Sequence, residues 1–184
     1  MQKALLFWIA LTASVAQAQW DIQNSTTTAD LRGIYSVGGG VAWTSGTSGT
    51  VLRTEDGGYL WQACSVPPGA EHLDFRGIQA FDANTAIVMS SGKGDLSRLY
   101  KTTDGCHSWN LIFTNPDPEG FWDALLLNRF DKGGELLGDP VNGQFAFWET
   151  TDKGNVWTRV STRGLNSLKD EGAFAASNSA LFFG

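Results

Sequence analysis

Apolar side chains run along this chain in short groups, broken by Gly, Asp, Asn and Ser, with few long apolar periods. Short runs bounded by such turn formers read as β-strands. A first quartet lies at 31–37, 41–43, 50–53 and 60–64. A second follows at 75–81, 85–89, 98–101 and 108–113, and a third at 121–127, 135–137, 145–149 and 156–160. A fourth series opens at 172–177 and 180–183. The expectation is an all-β chain.

Between the third and fourth run of each quartet stands the same pattern, T-x-D-x-(G/C)-x-x-W. It reads Thr54-Glu55-Asp56-Gly57-Gly58-Tyr59-Leu60-Trp61, then Thr102-Thr103-Asp104-Gly105-Cys106-His107-Ser108-Trp109, then Thr150-Thr151-Asp152-Lys153-Gly154-Asn155-Val156-Trp157. Asp56, Asp104 and Asp152 are evenly spaced, 48 residues apart. The Asp of a tight turn accepts bonds from backbone N–H groups just ahead of it. Glycine takes the left-handed conformation there, and the Trp opens the outgoing strand and buries its rings against a neighbouring unit. Four short strands per unit of about 45 residues describe a β-propeller blade. A β-sandwich would not repeat at constant spacing. The predicted division is residues 31–66 for blade 1, 72–115 for blade 2, 120–162 for blade 3, and 172–184 for the start of a fourth.

Composition narrows the class. The 184 residues carry 19 acidic and 13 basic side chains, a net charge of −6, so nucleic acid and anionic lipid are poor partners. Charged residues are only 17% while Trp numbers 8, which excludes a disordered chain. At the N-terminus, Lys3, an apolar run over 4–15 and Ala16-Gln17-Ala18 form a secretory signal peptide over residues 1–18. Gln19, not Cys, stands directly after the cleavage site, and no other run suggests a bilayer span. The mature chain is expected to be exported, to a periplasm or beyond.

The three patterns resemble Asp-box repeats, also called bacterial neuraminidase repeats. Asp74-Phe75-Arg76-Gly77-Ile78, Gly138-Asp139-Pro140-Val141 and Gly172-Ala173-Phe174-Ala175-Ala176-Ser177 resemble the secreted bacterial branch of the photosystem II stability and assembly factor-like propellers. Cys106 departs from the box, which normally carries Gly. The resemblance implies a propeller of four-stranded antiparallel blades whose boxes are structural: Thr54, Asp56, Gly58, Trp61, Thr102, Asp104, Trp109, Thr150, Asp152, Gly154 and Trp157. Trp20 reads as the start of an outermost strand over 19–30 that would close the last blade. Propellers have four to eight blades, and about three and a half are legible here. The chain therefore reads as a fragment of a longer protein.

Candidate chemistry gathers at the start of the innermost strand. Arg32 and Arg76 share an [LF]-R-G-I context, and Asp123 takes the matching place in the third unit. With Asp139, they would form a charged channel mouth recognising a carboxylate or a peptide terminus. Pairing with Asp30, Asp74 or Glu171 is the bland reading. Glycoside hydrolysis needs two carboxylates across the bond, and a sialidase needs an arginine cluster and a Tyr nucleophile. Only Tyr35, Tyr59 and Tyr100 are present, and the F-R-I-P-like start at Phe75 lacks its Pro. No catalytic residue is assigned.

No cofactor or metal is expected either. Gly92-Lys93 lacks the upstream Gly of a phosphate loop, and His72 and His107 have no metal-ligand spacing. Pro116 and Pro118 spoil a calcium loop. The leading expectation is a non-enzymatic scaffold binding a protein or peptide. The alternative is a carbohydrate-active propeller, favoured if Asp117, Glu119, Phe121 and Trp122 cluster on one loop face. Cys64 and Cys106 are candidates for a disulfide between adjacent blades, suited to an exported chain. Against it, Cys64 stands about 10 Å along its strand from the turn, at about 3.3 Å per residue.

Overall fold

The computed structural model describes residues 21–128, 130, 132–161, 166–175, 178 and 181. The signal peptide expected over 1–18 lies outside them. Twelve strands form three four-stranded antiparallel sheets. The first holds β1 (Leu31–Gly38), β2 (Val41–Gly46), β3 (Val51–Thr54) and β4 (Gln62–Ala63). The second holds β5 (Phe75–Ala80), β6 (Ala86–Ser90), β7 (Arg98–Thr102) and β8 (Asn110–Thr114). The third holds β9 (Trp122–Leu127), β10 (Gly134–Val141), β11 (Gln144–Thr150) and β12 (Thr158–Arg159). Within each sheet, strand order follows sequence order. β1 packs on β5 and β5 on β9, so the first strand of each sheet is innermost. This is part of a β-propeller.

Two cores lie between the three blades. Trp43, Val51, Phe75, Ile78, Val88, Tyr100 and Trp109 fill the first, and Ile87, Met89, Leu99, Trp122, Leu136, Trp148 and Trp157 the second. β6 shows why the middle blade reads as an unbroken apolar run. Ala86 and Val88 enter one core while Ile87 and Met89 enter the other, and all are buried.

The three turns repeat to within a few tenths of an ångström. Thr54, Thr102 and Thr150 each donate from Oγ1 to the Oδ1 of Asp56, Asp104 and Asp152, at 2.8 Å every time. Each Thr oxygen also accepts the N–H of Gly58, Cys106 or Gly154, at 3.0–3.1 Å. Each Asp accepts the N–H four residues on, from Leu60, Ser108 or Val156. The fifth position is left-handed in all three, with φ 96° at Gly58, 69° at Cys106 and 79° at Gly154. Cys106 adopts the angle that favours Gly. The Trp residues stand one residue before the outgoing strands instead of opening them. Trp109 and Trp157 are buried against the preceding blade, whereas Trp61, on the first blade, is half-buried.

Blades are also latched through the residue ahead of each turn Thr. Arg53 Nη1 donates to Ala83 O (2.8 Å) and Gly105 O (3.1 Å), the latter in the next blade's turn. Lys101 Nζ donates to Lys153 O (3.1 Å), the same turn position one blade on, and to Asn155 Oδ1 (2.7 Å). The third blade carries exposed Glu149 at this place. Cys64 and Cys106 are joined, with Cα atoms 5.2 Å apart. The distance argument against this bond measured along blade 1, but β4 ends at Ala63 and the chain then lies on blade 2's turn. There Ser65 N–H donates to Cys106 O (3.2 Å).

Two expectations about the ends meet a different geometry. Residues 21–30 form no strand, having no ladder partner among the described residues, while Gln19 and Trp20 lie outside them. Residues 172–175, expected to open a fourth blade, also form no strand and instead bond to Arg76 on β5 and Asp139 on β10.

Candidate functional site

The matched residues expected at a channel mouth are placed by matched irregularities. In β1 the pairing passes from Leu31↔Gly46 to Gly33↔Ser45, leaving Arg32 as an extra residue. In β5 it passes from Phe75↔Ser90 to Gly77↔Met89, leaving Arg76. In β9 it passes from Trp122↔Gly138 to Ala124↔Leu137, leaving Asp123. These are β-bulges, which re-aim a side chain and recur at barrel rims and beside functional sites. A further irregularity between Gly138 and Pro140 does the same for Asp139. The Gly after each Arg answers to close packing. A Cβ on Gly33 would lie 2.9 Å from Ser45 Oγ and 3.2 Å from the main-chain oxygen of Arg76.

Asp74 ties the two arginines together. Its Oδ1 accepts from Arg32 Nε (3.2 Å) and its Oδ2 from Arg76 Nε (2.8 Å). The pairing foreseen with Asp74 is present, and one carboxylate takes both Nε groups. Arg32 Nη2 lies 4.0 Å from the exposed Asp30. The Arg76 guanidinium lies over the Phe121 ring at 5.9 Å, and its Nη1 donates to Ala175 O at 3.5 Å.

Asp123 sits deeper, with 4% of its surface exposed. Its Oδ2 has no hydrogen-bond partner among the described residues. Burial foremost, and then the negative charge of Asp139, push its carboxyl up to about 7, against the pull of Arg76 and the N–H groups of Asp139 and Ala175. Near neutrality it therefore exchanges a proton. Asp139 Oδ1 accepts the Ala173 N–H at 2.8 Å. Arg76, Asp123 and Asp139 thus form one electrostatic group, which Asp74 extends to Arg32.

The turn aspartates are placed elsewhere, and their carboxylates are spent on backbone and hydroxyl hydrogens. Hydrogen bonds from Ser108 and Thr102 hold Asp104 down at about 2. The residues that would have favoured a sugar face do not assemble one. Trp122 is fully buried and stacked on Phe113 at 5.2 Å. Phe121 lies under Arg76, Asp117 pairs with Arg159, and Glu119 pairs with Lys93. Among the described residues no cluster of three or more His, Cys, Asp or Glu could hold a metal, and no helix is long and apolar enough to cross a membrane.

Sequence reasoning missed two features. The blade latch is visible once the repeats are aligned, as a basic residue before Thr54 and Thr102. Asn178, which reaches β1 and β5, carries no local signal.

No family model and no curated protein sequence matches the chain. Solved structures do. YCF48 bound to D1 peptide aligns at 22% identity with a TM-score of 0.58, over 79% of this chain and 46% of that one. YCF48 from Cyanidioschyzon merolae aligns at 24% and 0.52, over 72% and 37%. An ancestral GH74 enzyme aligns at 14% and 0.59, over 86% and 21%. The chain spans less than half the length of each of these structures. At such identities the likeness is one of fold, and it places this chain among the β-propellers.

Proposed function

We propose that the chain is an exported, non-enzymatic propeller scaffold that holds a segment of a partner protein at the rim formed by Arg32, Arg76, Asp123 and Asp139. Its three turns are Asp-box repeats in this reading, and its role is that of an assembly factor of the photosystem II stability factor-like type. The rim itself carries the argument. Consecutive blades each leave one side chain, Arg32, Arg76 or Asp123, at the same place by the same bulge, and Arg76 and the neighbouring Asp139 engage main-chain groups, Ala175 O and the Ala173 N–H. Guanidiniums held at Nε by a carboxylate keep their Nη edge for a carboxylate or carbonyl. The solved propeller bound to a D1 peptide supports a peptide as the ligand class. Export rests on residues 1–18, and a disulfide between blades suits an oxidising compartment.

A peptide library with free carboxyl ends, enriched on the purified mature chain, tests this reading. The selected peptide should bind the Arg32→Gln/Arg76→Gln double variant at least about tenfold more weakly, as loss of charge-assisted hydrogen bonds requires. Failure of the library to converge, or equal binding to both proteins, would remove the proposal.

A further inference from the structure

Ala173, Ala175 and Asn178 between them bond to all three blades, and none of the three belongs to a sheet. The Ala173 N–H donates to Asp139 Oδ1 on the third blade (2.8 Å), and Ala175 O accepts from Arg76 Nη1 on the second (3.5 Å). Asn178 Oδ1 accepts the Ile78 N–H on β5 (2.8 Å), and Asn178 Nδ2 donates to Ile34 O on β1 (3.1 Å). Ile34 and Ile78 are matching residues, each two places beyond its bulged arginine. Among the described residues the inner strands pair with another strand on one side only, and a strand edge of that kind is where an extended segment can dock.

The fit is close at several points. A Cβ on Gly172 would lie 2.8 Å from Asp139 Oδ1, so glycine permits the approach. Ala175 is buried while Phe174, with 82% of its surface exposed, points away. That is the alternation of an extended peptide with one side laid on a surface.

We infer that residues 172–175 with Asn178 are a resident occupant of the peptide site, which an external peptide must displace. This rests on the rim being a peptide site, and it adds the mode of recognition. The site reads an extended main chain with small inward side chains, through a cation on a carbonyl, a carboxylate on an N–H, and the Ile78 N–H and Ile34 O of two inner strands on a carboxamide of the occupant. A self-occupied site lowers the apparent affinity for any competitor by the fraction of molecules that are open.

The test uses a fluorescein-labelled peptide with the sequence of residues 170–181, titrated by polarisation into the full mature chain and its Asn178→Ala variant. The variant loses two tethering hydrogen bonds and keeps every rim residue. It should bind the peptide about tenfold more tightly than the wild type does. A second readout needs no variant: in the wild type, the Ala173 amide should lose hydrogen-exchange protection when saturating peptide is added.

Equal affinity for both proteins, with Ala173 protection unchanged by peptide, would overturn the inference. So would binding of the library-selected peptide alone, equally to both proteins, and in that case the peptide-site reading survives. Failure of both peptides on both proteins would overturn the peptide-site reading as well.

Discussion

Replacing Asp123 with asparagine keeps the shape of the buried side chain and removes its ability to ionise. In the wild type the carboxyl ionises near 3.8 when the chain is unfolded and at about 7 when folded, because burial and Asp139 disfavour the charge. A group whose pKa is raised by folding contributes stability that is complete below the unfolded value and lost as pH climbs through the folded one. Between pH 4 and pH 8 that loss is roughly 4 kcal/mol, at 1.36 kcal/mol per unit. The asparagine variant has no such loss. Its stability relative to wild type should therefore improve by roughly 4 kcal/mol over that range, with the two proteins closest at the acid end. Urea unfolding of both proteins at pH 4, 6 and 8, followed by Trp fluorescence, reads the difference. Contributions from Asp56, Asp104 and Asp152, whose pKa values are lowered by the turn hydrogen bonds, cancel in the comparison. A variant that tracks the wild type in parallel across the three pH values would refute the account of a buried, proton-holding Asp123.

Other perturbations separate the forces that hold the blades. Arg53→Met deletes bonds to two carbonyls of the neighbouring blade and should cost about 2–3 kcal/mol in urea unfolding. Glu149→Gln, at the same repeat position on an exposed surface, should stay within about 0.5 kcal/mol. Thr102→Val removes one of the two hydroxyl donors to Asp104, Ser108 being the other, and leaves the Cys106 N–H without an acceptor, at a cost of about 1–3 kcal/mol in the same assay. Reducing the bond between Cys64 and Cys106, 42 residues apart in sequence, should lower stability by about 4 kcal/mol in the chain-entropy model. Calorimetry with and without reductant checks this.

Strands and turns were legible because they are local and repeated. The even spacing of Asp56, Asp104 and Asp152 marks the blades, and each turn closes on its own Thr and Asp. The matched arginines were legible as a pair in a shared context, and the bulge gives the reason they share it. What the sequence conceals depends on how blades sit against one another. The disulfide looked awkward when measured along one blade, yet it reaches the turn of the next. The strand anticipated over 172–177 is absent from residues 172–175, because their polar groups meet side chains of blades 2 and 3. Asn178 bonds to Ile34 across 144 residues of chain. No local pattern announces a contact of that range.

The central claim is that the bulged residues of successive blades form one peptide-binding rim. Backbone amide NMR of residues 19–184, titrated with the library-selected peptide, tests it most directly. The account predicts that the largest shifts fall on Arg32, Gly33, Arg76, Gly77, Asp123 and Asp139, with the turns at Asp56, Asp104 and Asp152 unmoved. Shifts concentrated at those turns or on the outer strands β4, β8 and β12, with the rim silent, would contradict it.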